Sequence, residues 1–357
     1  MTQIELLIVG PVGKSTGGIA RYIAEQCRHL PTEIKTSTYD TGALAGSRSG
    51  SIATVVYRSV VNLFRFPFRA PPDVVHVHTA EAFSFYRNAF YVLFVAYIWR
   101  CPVILHVHGP TFDTFVSDAS APVRCLQSIV FAASDAIIVL SDYWYDTLEP
   151  HVLRENLTVL PNAVNPADYQ PSFDISIPHI VFLADHVPRK GIADFAKAID
   201  DLQEKQTGTF HVTIAGTGPS SDHAERVADR YSNVEYRGYL SEAQKRDLLN
   251  EASVYVLPTH AEGLPIGILE AMAGGSAVVS TAVGSIPDLI DDDAGVVLDP
   301  GDSIHLSNAL EHLITSPKSI QEMAEYNRTM IQEKYTWDHL SDQLVQIYRE
   351  LSSSDSD

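Results

Sequence analysis

The chain has 357 residues, of which 44 are acidic and 25 are basic, and its formal net charge is −19. This length is too great for one ordinary hydrophobic core and suits two α/β domains. So acidic a protein repels polyanions, which argues against a nucleic-acid partner and means that an anionic substrate needs a locally positive site.

The first half of the chain alternates short apolar runs with helical patterns. The apolar runs predict buried parallel strands at residues 4–9, 73–78, 103–107 and 136–140, and residues 159–165 are predicted as a strand that runs into a turn. A turn at 10–18 and a helix at 19–30 follow the first strand, and Ser141 is placed to cap another helix. Residues 89–99 form an apolar run about half as long as a membrane span, so we expect a buried helix there.

The pattern breaks at residues 166–178, where proline, aspartate and serine predict a linker. Beyond it, a helix is predicted at 191–201 and strands at 180–183, 210–215, 254–258 and 277–280. This alternation predicts two doubly wound domains that bind ligands beyond the carboxyl ends of their strands. We expect domains at 1–170 and 171–336, an amphipathic helix at 337–352 and a disordered tail at 353–357.

Residues 10–15 read Gly-Pro-Val-Gly-Lys-Ser, which is similar to a phosphate-binding P-loop. That motif needs four residues between its glycines and here there are two, so we do not expect a nucleoside triphosphatase. Gly17 and Gly18 stand where the first helix begins, and backbone amides at such a position can approach a phosphate or a sugar closely. A plain tight turn is the alternative.

Two His-x-His pairs, His76 with His78 and His106 with His108, lie at the ends of predicted strands. Residues two apart in a strand face the same side of the sheet. His108 precedes Gly109 at the carboxyl end of its strand and is predicted to face the ligand, whereas buried structural roles suit His76 and His106. Four imidazoles on zinc are the alternative, but no acidic or thiol ligand at a suitable spacing supports it.

Arg189 and Lys190 lie between a predicted strand and the helix that follows it. Two cations at a helix N-terminus oppose the helix dipole, so local stability does not explain them. A bound anion would explain both cations, and a solvated basic loop is the alternative.

The most informative segment holds two carboxylates, Glu262 and Glu270, with seven residues between them. A turn follows the preceding buried strand, and Pro265 suits the first position of a helix. Amides near Leu264 and Ile266 would then form an anion site at the helix start. We expect Glu262, on the loop, to accept hydrogen bonds from sugar hydroxyls and Glu270, inside the helix, to accept them from ribose hydroxyls.

Together these segments resemble the family-four retaining glycosyltransferases, or glycosyltransferase group 1, whose GT-B fold consists of two facing Rossmann-like domains. The resemblance runs in order along nearly the whole chain, through residues 17–21, 106–109, 161–165, 188–191, 216–219, 237–240, 262–273 and 283–288. It implies that the last helix crosses back to the first domain. It also implies a nucleoside diphosphate sugar as co-substrate, with no metal and no other cofactor, because fixed cations and helix dipoles replace the metal.

The resemblance implies roles for single residues as well. Three are catalytic candidates: Glu262 contacts the sugar hydroxyls, His108 lies beside the reacting sugar, and Lys190 neutralises the diphosphate. Glu270 holds the ribose. The other donor-binding candidates are Gly17 and Gly18, which close over the diphosphate, Gly238, whose turn lies near the base, and Arg189, Gly263, Leu264, Pro265 and Ile266.

One departure from the family pattern concerns the diphosphate. Family members commonly carry Gly-Arg a few residues before the Lys-Gly, and that arginine binds the diphosphate. The matching positions here are Ala184 and Asp185. An acidic residue at this place costs a phosphate contact, which Arg189 could replace from its neighbouring position.

The predicted reaction is transfer of a hexose unit from a UDP- or GDP-sugar to a glycan or lipid-linked acceptor, with retention of configuration. A front-face displacement is preferred to a covalent intermediate, because no carboxylate is evidently placed as a nucleophile. Two alternatives stay open. One is a catalytically weakened nucleotide-sugar-binding protein, motivated by Asp185, and the other is a nucleotide-sugar epimerase, which needs further acid/base carboxylates.

Residues 41–72 carry Arg48, Arg58, Arg65 and Arg69 and no acidic residue. Apolar and aromatic side chains interleave with them, and a basic amphipathic helix across 52–69 would lie on an anionic membrane. A helix packed on the sheet with a solvated basic rim is the alternative. The widely spaced cysteines predict a reducing compartment, so we expect a cytoplasmic protein. Because of the basic helix, we expect it to be peripheral on the inner face of the cell membrane.

Overall fold

A computed structural model of the chain describes residues 3–12, 17–41, 52–206 and 208–354. The chain divides into two compact units, one formed by Met1–Asn162 with Trp337–Asp357 and the other by Ala163–Thr336. Part of the glycine-bearing turn (13–16), Arg48 and the last tail residues (355–357) lie outside the described residues.

The first unit contains a parallel sheet. Its described strands are β1 (Ile4–Gly10), β2 (Ile34–Asp40), β3 (Val74–Thr79), β4 (Val103–Val107), β5 (Ala136–Val139) and β6 (Leu157–Val159). They follow the order β2-β1-β3-β4-β5-β6. The inner strands are mostly apolar and buried, as expected for a parallel sheet, and His76, His78 and His106 are buried polar exceptions on β3 and β4. The strand order reverses between β1 and β3, and ligands in such folds bind at the carboxyl ends beside the reversal.

The helices of the first unit include one from the C-terminal end of the chain. This last helix packs on the first helix and on strands β1 and β3, so the predicted return of the chain to the first domain is confirmed. The helices are α1 (Gly18–His29), α2 (Ile52–Arg65), α3 (Phe83–Phe94), α4 (Phe112–Ser117), α5 (Ala121–Ala132), α6 (Asp142–Leu148) and, at the end, α14 (Trp337–Ser354).

The second unit repeats the plan with another parallel sheet. Its described strands are β7 (His179–Leu183), β8 (His211–Ala215), β9 (Val234–Gly238), β10 (Val254–Leu257), β11 (Ala277–Thr281) and β12 (Gly295–Leu298). They follow the order β12-β11-β10-β7-β8-β9. The strand order reverses between β7 and β10, which are direct neighbours at the centre of the sheet.

The helices of the second unit cover both faces of this sheet, and the side chains between them form a continuous apolar core that includes Phe182, Phe195 and Ile199. The helices are α7 (Ile192–Glu204), α8 (Asp222–Arg230), α9 (Glu242–Glu251), α10 (Ile266–Ala273), α11 (Ile286–Leu289), α12 (Ser303–Thr315) and α13 (Pro317–Lys334). Two Rossmann-like domains with parallel sheets are the predicted fold class, which is therefore confirmed.

The second unit begins before the predicted boundary at residue 170. The backbone explains why: the Val164 amide donates to the Tyr335 carbonyl at 2.9 Å, and the Asp168 carboxylate meets Arg246 at 3.1 Å. At the other end of the chain, α14 continues past the predicted limit at residue 352. Its last described turn is supported by the Ser352 and Ser353 hydroxyls, which donate to carbonyls one turn earlier.

Two local predictions need correction. Ser141 occupies the N-cap position of α6, but its side chain makes no capping hydrogen bond. Residues 89–99 do form helix, as the end of α3 and a π-helical turn (Val95–Trp99). They are not buried throughout, because Phe90, Tyr97 and Ile98 are exposed. No described helix is both long enough and apolar enough to cross a bilayer.

Candidate active site

The strand reversal in the second unit brings two loops together. The loop after β7 forms a 3₁₀ turn (Pro188–Lys190) and leads through Gly191 into α7. The loop after β10 carries Glu262 and leads into α10. Because β7 and β10 are neighbouring parallel strands, both loops leave the same edge of the sheet, and residues more than 70 positions apart meet there.

The Glu262 carboxylate is the centre of this meeting point. It is 6% exposed, and its Oε1 accepts hydrogen bonds from Lys190 Nζ at 2.5 Å, Thr259 Oγ1 at 3.1 Å and Arg189 Nη1 at 3.3 Å. A buried carboxylate is tolerated when it is paired and hydrogen-bonded in this way. The three charged groups together carry a net charge of +1, so the site is locally positive on an acidic protein.

Two glycines allow the loops to approach so closely. Gly191 has a φ of +75°, and a Cβ there would lie 1.8 Å from the Pro258 carbonyl oxygen. Gly284 has a φ of +53°, and a Cβ there would lie 1.9 Å from the Glu262 carbonyl oxygen. Any side chain at either position would push the Glu262 loop away from its partners.

Helix α10 starts directly after the Glu262 loop. Pro265 was expected at the first helical position but is the N-cap, because its extended ψ of 110° leaves it outside the helix while its carbonyl accepts the first helical hydrogen bond, from Ile268 at 3.0 Å. The amides of Ile266 and Gly267 therefore belong to the first turn, whose donors have no intrahelical acceptors and favour an anion. Gly263 and the buried Leu264 complete the turn before the helix.

Glu270 lies inside α10 and meets a different lysine from Glu262. It is 4% exposed, and its Oε1 accepts a hydrogen bond from Lys245 Nζ at 2.8 Å. Lys245, on α9, also meets the exposed Glu242 at 2.7 Å. The sequence interpretation missed Lys245, although its spacing from the buried Leu248 and Leu249 places it on the inner face of α9.

Tyr255 on β10 is a second residue that the sequence interpretation missed. Its hydroxyl donates to the Leu183 carbonyl at 2.8 Å, which ties β10 to the end of β7. Burial raises the pKa of Tyr255, and the negative charges of Glu270 and Glu262 raise it further. The tyrosine therefore stays a neutral hydrogen-bond donor to the Leu183 carbonyl.

Gly238, predicted to lie near the base, is at the carboxyl end of β9. Asp185, at the position where the family carries its diphosphate-binding arginine, is at the carboxyl end of β7. Gly238 ends β9 with a φ of +62° and precedes the exposed Tyr239. Asp185 follows β7 and is exposed. Its neighbour His186 is buried, and its Nδ1 and Nε2 lie 3.0 Å from the Ser221 hydroxyl and 3.3 Å from the Ala215 carbonyl oxygen.

The first unit places the other candidates at its own strand ends. Gly17 is the N-cap of α1 and Gly18 its first residue, and a Cβ on Gly18 would meet nothing within 4 Å. Packing within the described residues does not require a glycine there. His108 follows β4, is partly exposed, and its Nε2 lies 2.9 Å from Nδ1 of His78.

Three further imidazoles lie behind His108 and are fully buried. His76 Nε2 lies 3.2 Å from His106 Nδ1, and His76 Nδ1 lies 2.7 Å from the Tyr348 hydroxyl of α14. Burial lowers the pKa of all four histidines, to about 3 for His76 and for His108. These rings are therefore neutral at physiological pH, and buried structural positions for His76 and His106 agree with the sequence interpretation.

The histidine cluster raises the question of whether it could bind a metal ion. Ring nitrogens of His76, His78 and His106 lie within 4.8 Å of one another. The rings of His76 and His78, however, are stacked at 4.4 Å with an angle of 13°. Their lone pairs therefore lie in two nearly parallel planes, which do not meet at one point as the lone pairs of zinc ligands do. Both nitrogens of His76 are also in hydrogen-bonding contacts. That no metal is required stays a prediction.

Two family profiles match the chain in succession. Residues 16–168 match the family described as Glycosyltransferase Family 4, and residues 177–316 match the family described as Glycosyl transferases group 1. The chain belongs to the family-four, group 1 glycosyltransferases, which are retaining enzymes that use nucleotide sugars. The resemblance predicted from the motifs is confirmed.

Relatives of known name cover a range of acceptors. One subunit of the human phosphatidylinositol N-acetylglucosaminyltransferase is 28% identical over 85% of this chain and 62% of its own length. Glycogen synthase of Mycobacterium tuberculosis is 25% identical over 78% of this chain and 68% of its own length. The chain thus spans about two thirds of the length of these relatives.

Solved structures support the fold. Sucrose-phosphate synthase from Thermosynechococcus elongatus superposes with a TM-score of 0.79 at 15% identity, over 98% of this chain and 100% of that one. Anabaena HepE in complex with UDP superposes with a TM-score of 0.70 at 14% identity, again over 98% of this chain and 100% of that one. At these identities the likeness establishes the GT-B type of fold alone.

Proposed function

We propose that the chain transfers a hexose unit from a UDP- or GDP-sugar to a glycan or lipid-linked acceptor, with retention of configuration. The observation that carries this proposal is the buried Glu262 carboxylate, paired with Lys190 and Arg189 beside the start of α10. In a chain of net charge −19, such a local concentration of cations and helix amides suits a diphosphate.

The donor diphosphate would lie against the first-turn amides of α10 and against Lys190. These groups stabilise the negative charge that develops as the diphosphate leaves, and they are held in place before the reaction begins. Glu262 would accept hydrogen bonds from the sugar hydroxyls, and its pairing with the two cations fixes its orientation. Glu270 would hold the ribose, Gly238 would line the base, and Gly17, Gly18 and His108 would contribute the contacts that the family resemblance implies.

The proposed reaction is a front-face displacement. The bond between the sugar C1 and the diphosphate oxygen breaks, and the acceptor oxygen bonds to C1 on the same face. The acceptor proton passes to the departing diphosphate oxygen, so no separate base is needed. Glu262 is a poor candidate for a covalent nucleophile, because its Oε1 already accepts hydrogen bonds from Lys190, Thr259 and Arg189.

The names of the relatives support both acceptor classes. One relative is named for transfer to phosphatidylinositol and another for glycogen synthesis, and HepE binds UDP-glucose. A lipid-linked acceptor would require the chain to work at a membrane, and a cytoplasmic, peripheral location remains part of the proposal.

The test uses the wild-type chain. A thermal-shift screen against UDP, GDP, ADP and their sugars should reveal one preferred nucleotide, because saturation at 100 times Kd stabilises a protein by about 2.7 kcal/mol. The matching donor is then incubated with glycan and lipid acceptors, and the anomeric configuration of the product is read by NMR. An inverted product, or the absence of a shift with every nucleotide, would overturn the proposal.

A second candidate is a nucleotide-sugar-binding protein without transferase activity, which the exposed Asp185 favours because family members commonly carry an arginine there. The same assay separates the two. A binding protein shows the thermal shift but neither transfer nor hydrolysis of the donor, whereas an enzyme shows at least one of these reactions.

A further inference from the structure

One face of the helical segment 83–98 in the first unit is apolar and exposed. Phe83, Tyr86, Phe90, Tyr97 and Ile98 are 53%, 43%, 37%, 59% and 64% exposed. Spacings of three, four and seven residues put Phe83, Tyr86, Phe90 and Tyr97 along one side of the helical segment, and Ile98 lies next to Tyr97 in the π-helical turn that ends it. An apolar side of this length on a solvent-facing helix indicates a binding surface.

The turn that follows α2 packs against the end of this segment. Phe66 is buried and packs its ring on Tyr91, Phe94 and Trp99 at 4.8, 5.8 and 4.6 Å. Phe66 thereby fixes the turn against the end of α3. Phe64 and Phe68, two residues to either side of Phe66, are 73% and 89% exposed. We call the exposed apolar residues 64, 68, 83, 86, 90, 97 and 98 the aromatic surface.

Arginines accompany the aromatic surface. Arg58, Arg65, Arg69 and Arg100 are exposed, and residues 41–112 contain six arginines but only two acidic residues, Asp73 and Glu81. This part of the chain has a net charge of +4, whereas the whole chain has −19. The asymmetry favours an anionic partner at this place.

We propose that the aromatic surface docks on an anionic lipid bilayer, with the aromatic side chains in the interfacial layer and the arginines on the headgroups. Aromatic rings and arginines are the residues that such an interface favours, since arginine can keep its charge in the headgroups while its stem lies in the apolar layer. Each arginine near an anionic surface adds about 1 kcal/mol of attraction. Docking does not depend on sugar transfer, and it goes beyond the sequence prediction by including the side of α3.

Vesicle flotation at physiological salt tests the proposal. The wild-type chain should float with vesicles of phosphatidylcholine and phosphatidylglycerol. With vesicles of phosphatidylcholine alone it should remain at the bottom of the gradient. The double variant Phe64→Ser, Phe68→Ser should lower the vesicle-bound fraction about tenfold or more, because two largely exposed phenylalanine rings can no longer insert into the bilayer. Arg65→Glu with Arg69→Glu should abolish the preference for the anionic vesicles.

Ile304→Ser is the matched control, because Ile304 is an apolar residue of the second unit that is 61% exposed. It should float like the wild type. The nucleotide-dependent thermal shift should persist in every variant, which separates failure of docking from failure of the proposed function and from misfolding. Equal flotation of wild type and the phenylalanine variant would overturn the proposal, as would a lipid-free dimer that the same variant dissociates, since a second copy would then cover the surface.

Discussion

The two units bury polar groups beside comparable strand ends but by opposite means. In the first unit, the imidazoles of His76 and His78 on β3, of His106 on β4 and of His108 directly after β4 lie together, and burial keeps them neutral. In the second unit, the buried carboxylates Glu262 and Glu270 each meet a lysine of their own, Lys190 and Lys245. Neutral rings need hydrogen-bond partners, whereas buried charges need opposite charges.

This difference matches what each unit is proposed to hold. A diphosphate carries negative charge and needs cations and helix amides, which the second unit supplies. The first unit presents His108 as a neutral ring, which can contact sugar hydroxyls without attracting a counter-ion. The comparison predicts that the second unit loses stability when a buried carboxylate loses its lysine. It predicts that the first unit loses stability when acid protonates the buried histidines.

The largest effect on stability is expected for Lys245→Met. It removes the cation that Glu270 Oε1 meets in the buried interior, where Glu270 is 4% exposed. Removing one partner of a buried ion pair costs about 3–5 kcal/mol. Amide hydrogen exchange of α10 measures this, because it reports the second unit by itself. Lys245→Met combined with Glu270→Gln should recover a large part of the loss, and additive losses in the double variant would mean that the pair is not coupled.

Acid is expected to lower the free energy of unfolding of the first unit, by less per pH unit than the loss of Lys245 costs. The folded pKa of each buried histidine lies below the usual 6.5, so the unfolded chain takes up protons that the folded chain cannot. Stability is therefore fully present above pH 6.5 and falls as the pH drops below it. For His76, whose folded pKa is about 3, the loss is at most about 1.4 kcal/mol per pH unit.

Urea unfolding followed by tryptophan fluorescence measures this effect, because Trp99, Trp144 and Trp337 all lie in the first unit. His76→Gln should reduce the slope of stability against pH below 6.5, although its stability at neutral pH is lower. An unchanged slope would show that His76 is already protonated in the folded protein.

The smallest effect is expected for the buried Tyr22 hydroxyl, which has no hydrogen-bond partner within the described part of the chain. Tyr22→Phe removes that hydroxyl and should change the unfolding free energy by less than about 1 kcal/mol. Tyr348→Phe is the matched comparison, because its hydroxyl lies 2.7 Å from His76 Nδ1 and accepts a hydrogen bond from Gln26 at 2.7 Å. It should cost about 1–3 kcal/mol, and equal costs for the two variants would contradict this hydrogen-bond network.

The sequence predicted the inner strands of both sheets but not β2, β9 and β12. These three lie at sheet edges, where one side of the strand has no neighbour. Polar residues interrupt the apolar pattern of β2 and β9, as in Ile34–Asp40 with its threonines, serine and lysine, whereas β12 is apolar but only four residues long. An edge strand is defined by its partner more than by its own pattern. The same limit explains the helix at 89–99: its apolar composition predicted burial, but composition does not show which side of a helix has a neighbour.

Local patterns also placed Glu262, Lys190 and the start of α10 correctly relative to the strands. They did not show that Lys190 and Arg189 meet Glu262, because that contact joins loops 72 residues apart in sequence. It follows from the neighbouring positions of β7 and β10, which sequence order alone does not give. The helical spacing of Lys245 was a usable signal, since a charged residue on an apolar helix face needs a buried partner.

The pairing of Glu262 is the centre of the account, and kinetics of Glu262→Gln test it most directly. The amide keeps the size of the side chain but loses the charge that orients Lys190, so kcat/KM for sugar transfer should fall about 100-fold or more. Glu322→Gln, which removes an exposed carboxylate paired with Lys318, should leave kcat/KM unchanged. A Glu262→Gln variant that transfers sugar at a nearly wild-type rate would contradict the assignment of this site.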